Sequence, residues 1–168
     1  GMKGWINYAT EAGEEIIKAE KIDAIISSSN PISCHLIAKA LADKYQIPWM
    51  ADLRDLWSQN HYFHHCLIRK IADSRLEKNT LSKTKALVTV SQPLADELSL
   101  LHPNKSIYVI PNGFDPEQEV IIPTKLTKKF SITYTGILYN GKRDPESFFR
   151  CVNQLLESEK INLDDIEV

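Results

Sequence analysis

The chain has 168 residues, 43% hydrophobic and 25% charged, with a formal charge of −2. That length suits one large domain or two small ones with a real core, and the charge gives no general pull toward nucleic acid or an anionic membrane. No apolar run nears the roughly 20 residues of a bilayer span, and Glu11, Glu14 and Glu15 interrupt any signal-peptide core, so a cytoplasmic setting is expected. Gly1-Met2 has the form of a scar left by tag removal. Cys34, Cys66 and Cys151 are odd in number and far apart, which predicts reduced thiols and not a disulfide frame or a zinc knuckle.

In chain order, Ile6 to Lys21 reads as a helix with Ile6, Ala9, Ile16 and Ile17 on one face, weakened at Gly13. Residues 23–28 form a short apolar run that enters a serine cluster. Asn30-Pro31 then predicts a helix start, Asn as cap and Pro at the first helical position. Leu36, Ile37, Ala40, Leu41 and Tyr45 supply that helix's apolar face. Residues 47–53 are the next strand, ending in Asp52-Leu-Arg54-Asp55-Leu-Trp57. A longer helix is expected from Phe63 to Lys83, with Phe63, Leu67, Ile71 and Leu76 as its core stripe and Arg69, Lys70, Arg75 and Lys78 making the remainder basic. Residues 86–90 are a strand. Ser91 caps the following helix, whose face is Leu94, Leu98 and Leu101, with Asp96 and Glu97 in its first turn.

The stretch Ile107 to Pro116 is the pivot. A short buried strand meets Pro111, and Asn112-Gly113 offers two residues that tolerate positive φ. In open α/β sheets, ligands bind at this carboxyl edge. Residues 117–129 lack either period and read as a linker. A strand at 130–135, a loop containing Asn140-Gly141, and a helix capped by Asp144-Pro145 follow, with Phe148, Val152, Leu155 and Leu156 as the helix's buried face. A further strand opens near Asn162. Strand–helix alternation with short connections predicts parallel sheets of right-handed βαβ units.

Three groups could carry chemistry. Asp52, Arg54 and Asp55 fall where a parallel strand delivers its side chains to the ligand edge; they could orient a hydroxyl-rich ligand or act as acid and base. A strand-end salt bridge explains them as simply. His61, His64, His65 and Cys66 hint at a metal, yet no zinc spacing is met, and a solvated helix start is the preferred reading. Gly136, Lys142 and Arg143, with Gly141, lie between a strand and a helix N-terminus, where cations and backbone N–H groups suit a diphosphate. Arg143 replaces the Ser or Thr of a Walker loop. A solvated surface turn is the alternative. The basic face of the helix from Phe63 leaves open a peripheral membrane contact, while Asp73 and Glu77 among its cations favour a solvated face.

Taken together, residues 23–31, 47–57, Val90-Ser91 and 109–115 resemble family-four glycosyltransferases of the GT-B fold, and Tyr134 to Gly136 through Lys142 to Pro145 resembles the entry to that family's second domain. The resemblance implies two Rossmann-like domains facing across a cleft. Residues 1–122 would be the later part of the acceptor-side domain, 123–129 a linker, and 130–168 the first βαβ of the donor-side domain. It places Asp52, Arg54, Asp55, Ser91, Asn112 and Gly113 on the acceptor side, and Gly136, Lys142 and Arg143 at the donor diphosphate. Many relatives carry His-Asp where this chain has Arg54-Asp55, so no catalytic residue is carried over. Many also place Arg after the glycine, where Ile137 stands here.

The expectation is a retaining glycosyltransferase that moves a sugar from a nucleotide-sugar to a glycan or lipid-linked acceptor in polysaccharide or glycoconjugate assembly, with no cofactor and no metal. The chain itself reads as a central fragment, inactive alone and prone to self-association. Two rivals stand beside this: a metal-assisted hydrolase using Asp52, Asp55 and the histidines from His61 to His65, and a non-catalytic interaction module.

Overall fold

The computed structural model describes residues 4–60, 66–118, 127–138 and 143–168. The chain divides into two compact units, Gly1–Phe114 and Asp115–Val168. The expected linker at 123–129 lies mostly outside the described residues, as does the segment from His61 to His65.

In the first unit, helix α1 (Ile6–Ala19) precedes β1 (Ile25–Ser29), α2 (Ser33–Tyr45), β2 (Trp49–Leu53), α3 (Leu67–Leu81), β3 (Ala86–Thr89), α4 (Gln92–Leu101) and β4 (Ile107–Val109). The four strands form a parallel sheet in the order β1-β2-β3-β4. Three successive right-handed crossovers between adjacent strands put α2, α3 and α4 on one face. Burial follows that geometry. Trp49, Ala51, Leu53 and Leu87 point into the core with Ala38, Leu56, Leu81 and Leu98. Each large apolar side chain buried there contributes about 1.5–3 kcal/mol. Alternate residues point to the opposite face, where Ile26 and Tyr108 stay more than half exposed.

Helix α1 packs on α2, and Gly13 permits the approach: a Cβ there would stand 2.6 Å from Leu41 Cδ1. Ile16, expected on the inner face, is 55% exposed. Several local expectations are also corrected. Asn30-Pro31 does not start α2, which begins at Ser33; the Asn30 amide bonds Asp55 instead. Helix α4 begins at Gln92, so Asp96 and Glu97 fall beyond its first turn, and Ser91 occupies the cap position without a side-chain cap bond. Neither Asn112 nor Gly113 takes the left-handed φ that its type tolerates, and a Cβ on Gly113 would meet open space.

The largest correction concerns α3. Its buried residues are Glu77, Thr80 and Leu81, while Leu67, Ile71 and Leu76 of the expected core stripe are exposed. Phe63 lies outside the described residues.

The second unit contains β5 (Phe130–Ser131), α5 (Glu146–Glu157) and β6 (Ile166–Glu167), a parallel βαβ. Strand β5 is shorter than the expected 130–135. Asp144 accepts the Glu146 N–H at 3.0 Å in the turn that enters α5, and Pro145, not Asp144, occupies the cap position, without a side-chain cap bond. Phe148, Val152 and Leu156 turn to the partly covered side, and Leu155 is exposed. The fold is thus α/β: a Rossmann-like parallel sheet flanked by helices, followed by a βαβ unit.

Candidate functional site

A parallel sheet delivers all its carboxyl ends to one edge. That edge gathers Ser28 and Ser29 at the end of β1 with Asn30 after it, Asp52 to Asp55 at β2, Ser91 after β3, and Asn112 and Gly113 after β4. Register sets Ser28, Asp52, Val88 and Tyr108 in one row across four strands, on the face that α2 to α4 leave uncovered.

Asp52 is the centre of this row. Its Oδ2 accepts the Ser28 hydroxyl at 2.9 Å and lies 3.4 Å from Arg54 Nε. Arg54 also donates from Nη1 to the Ile110 carbonyl at 2.8 Å, tying the end of β2 to the end of β4. The ion pair read from the sequence as a simple strand-end bridge therefore exists. At partial exposure it contributes only about 0–1 kcal/mol. It uses only one carboxylate oxygen: Asp52 Oδ1 is buried and has no hydrogen-bond partner. Asp55 is exposed and accepts from the Asn30 amide at 3.2 Å.

Behind this edge lies a buried polar chain that sequence reasoning missed. Trp49 Nε1 donates to Ser27 Oγ at 2.8 Å, and Ser27 Oγ and His35 Nδ1 share a hydrogen bond of 2.7 Å. His35 Nε2, on the far side of the ring, is buried and unpartnered. Burial pushes the His35 pKa down to about 4, against the opposing pull of the Glu77 and Asp52 carboxylates. Trp57 stacks on the ring at 6.4 Å between centroids.

The loop after β2 is fastened from below. Glu77 Oε2 accepts the Ser58 N–H at 2.8 Å, and its Oε1 lies 3.3 Å from His102 Nε2. Gln59 donates to the Glu97 carbonyl at 2.6 Å. Beside this loop a cavity of about 260 Å³ is lined by Asn30, Ile32, Leu56, Trp57, Ser58 and Asn60, and by Arg69, Lys70 and Asp73 of α3.

The family comparison decides what this edge belongs to. A glycosyltransferase family 4 model matches residues 4–118. The chain belongs to glycosyltransferase family 4. No curated protein matches the chain. Glycosyl transfer is therefore the chemistry of this family-4 unit. The matched span ends before Tyr134 to Pro145, the stretch that resembles the entry to a second domain.

Of the residues singled out for the family-4 acceptor side, Asp52, Arg54 and Asp55 join one hydrogen-bonded set with Ser28, Asn30 and Ile110. Ser91, Asn112 and Gly113 sit on the same edge, after β3 and β4. In the second unit Gly136 and Arg143 are exposed. A Cβ on Gly136 would come 2.7 Å from Tyr134 Oη, which donates to the Ile137 carbonyl at 3.2 Å. Lys142 lies outside the described residues. Among the described residues, no group of His, Cys, Asp or Glu is arranged to hold a metal, and no helix is long and apolar enough to cross a membrane. The signal that could have found Ser28 was its phase: Ser28 and Asp52 each sit one residue from the end of a short strand.

Proposed function

We propose that the Asp52 edge binds the acceptor in an enzyme that moves a sugar from a nucleotide-sugar to a glycan or lipid-linked acceptor with retention. One observation carries this reading: Asp52 Oδ1 is a carboxylate oxygen with no partner beside a polar edge. A buried acceptor atom left unpaired costs about 1–3 kcal/mol, and an acceptor hydroxyl relieves that cost by donating to it. Ser28 and Arg54 hold the other oxygen, so the free one keeps a fixed direction. In the transfer step the acceptor oxygen bonds the anomeric carbon on the face the diphosphate leaves, as retention requires, the bond from that carbon to the diphosphate breaks, and Asp52 Oδ1 takes the departing hydroxyl proton.

For the donor, the reading assigns Gly136, Lys142 and Arg143 to the diphosphate, whose developing charge the two cations offset. The expected boundaries, an acceptor-side unit followed by a donor-side unit, belong to the same proposal.

The test is titration of soluble oligosaccharides followed by NMR on the full chain. Asp52→Asn keeps the shape and removes the charge, so binding weakens about tenfold, the scale of one charge-assisted hydrogen bond. Unchanged affinity in Asp52→Asn, with binding intact in the wild type, would remove Asp52 from the acceptor site.

A further inference from the structure

The cavity of about 260 Å³ beside the loop after β2 is lined by groups that neither folding nor the Asp52 row explains. One wall is Trp57, whose indole is stacked on His35 with ring centroids 6.4 Å apart. The cations come from the first turn of α3, which carries Arg69 and Lys70 and no acid. A helix N-terminus disfavours cations, so the helix gains nothing from this choice. Arg69 is occupied, with Nε 3.6 Å from Asp73 Oδ2. Lys70 is exposed and makes no ion pair among the described residues. Arg69, Lys70 and Asp73 together therefore give the lining one net positive charge. The cavity adjoins the acceptor edge through Asn30, which lines it and donates its amide to Asp55 at 3.2 Å.

We propose that this cavity holds a sugar residue bearing one carboxylate, a uronic acid of the acceptor glycan, with its ring on Trp57 and its carboxylate on Lys70. The inference rests on the acceptor reading of the Asp52 edge and names the acceptor's class. A pyranose presents a flat C–H face that suits an indole, and its hydroxyls suit a lining that includes Asn30 and Ser58. The volume fits a single ring and falls below the roughly 300–1,000 Å³ of sites for larger ligands. Charge decides between acids. One unpaired cation matches a monoanion, whereas a phosphate monoester carries about −1.5 to −2 near neutrality and outweighs it.

The experiment is NMR titration of the full chain with three disaccharides that differ in the terminal residue: glucuronic acid, glucose, and glucose 6-phosphate. The uronate is expected to bind about fivefold more tightly than the neutral sugar, the upper end of what an exposed ion pair supplies. That preference falls as sodium chloride is raised. Lys70→Gln erases the difference between acid and neutral sugars, and Lys70→Arg keeps it, while Asp52→Asn weakens both sugars alike. Lys70 is exposed, so far-ultraviolet circular dichroism of both Lys70 variants stays that of the wild type. Equal binding of acid and neutral sugars, a preference that survives Lys70→Gln, or tightest binding of the phosphate would each overturn the proposal, and in each case weakening by Asp52→Asn leaves the acceptor reading standing. A uronate preference lost in Lys70→Gln but indifferent to Asp52→Asn would uphold the cavity as an acidic-sugar site and remove Asp52 from the acceptor instead. Binding of none of the three sugars would overturn both.

Discussion

Helices α3 and α4 each follow a strand of the same sheet and cover the same face, yet α3 buries two polar side chains beside Leu81 where α4 buries apolar ones. Helix α4 turns Leu94, Ala95, Leu98 and Leu101 inward, and Leu98 is fully buried. Helix α3 turns Glu77, Thr80 and Leu81 inward, all but inaccessible to solvent. The α4 stripe is hydrophobic burial and nothing more specific. The α3 stripe instead holds chain: Glu77 takes the Ser58 N–H of the loop after β2 and reaches His102 at the end of α4. A polar inward position fixes geometry that an apolar one cannot, because hydrogen bonds have direction and hydrophobic contacts do not. The consequence is visible outside, where Leu67, Ile68, Ile71 and Leu76 of α3 face solvent.

The comparison breaks most sharply at Glu77. Glu77→Ala removes one member of a buried polar pair and leaves both Ser58 N–H and His102 without it, a loss of about 4 kcal/mol. Leu98→Ala, the equivalent deletion on α4, costs about 3 kcal/mol from transfer and cavity terms. Urea unfolding measures both. Glu77→Gln, which keeps an oxygen for Ser58, recovers part of the loss, whereas no polar replacement recovers Leu98. If Glu77→Ala costs under about 1 kcal/mol, the carboxylate is not what holds this loop.

His35 gives the next largest effect, through pH. Its folded pKa lies near 4, below the ordinary value of 6.5. Between those values the unfolded chain binds a proton that the folded chain refuses, so stability rises with pH across the window and is lost on acidification. The loss from pH 6.5 down to about 4 accumulates to roughly 3 kcal/mol. The contribution is complete above 6.5 and is unaffected by pH there. His35→Asn keeps an acceptor toward Ser27 and cannot titrate, so the difference in urea midpoint between variant and wild type shrinks as the pH falls. Parallel midpoints for the two proteins across this window would mean that His35 is accessible to protons in the folded state.

Strand–helix alternation made the parallel sheet legible from the sequence, since periodicity is a local property. The direction in which α3 faces was not legible. A stripe of Leu67, Ile71 and Leu76 has the same spacing whether it points to the core or to water, and only the competing claims of Glu77 and Thr80 decide it. Asn30 shows the same limit: its type suits a helix cap, but Asp55 is 25 residues away in sequence and takes the amide. Asp52, Arg54 and Asp55 were legible as a group because a strand end places them. Their unequal roles depend on Ser28 and Ile110, partners that register alone brings near. His35 shares a face with Ala38 and Ala42, so its burial had a signal at i, i+3 and i+7, though the Ser27 and Trp49 chain that polarises it had none.

Smaller substitutions sharpen the contrast between covered and uncovered helix faces. Gly13→Ala gains about 1 kcal/mol of helix propensity in α1, but its Cβ meets Leu41 at 2.6 Å, and overpacking costs about 1–3 kcal/mol. The expected outcome in thermal or urea unfolding is a net loss of about 1 kcal/mol. The smallest effect is expected at Ile68, which is 81% exposed in the first turn of α3. Ile68→Glu removes little buried area. It also places an acid near a helix N-terminus, where the dipole favours it by about 0.3–1 kcal/mol. These terms leave unfolding free energy within about 0.5 kcal/mol of the wild type, in a residue type whose burial elsewhere in the unit contributes several times more. A loss of 2 kcal/mol or more at Ile68 would mean that this side of α3 is covered in the folded chain, and the assignment of Glu77 to the inward stripe would fall with it.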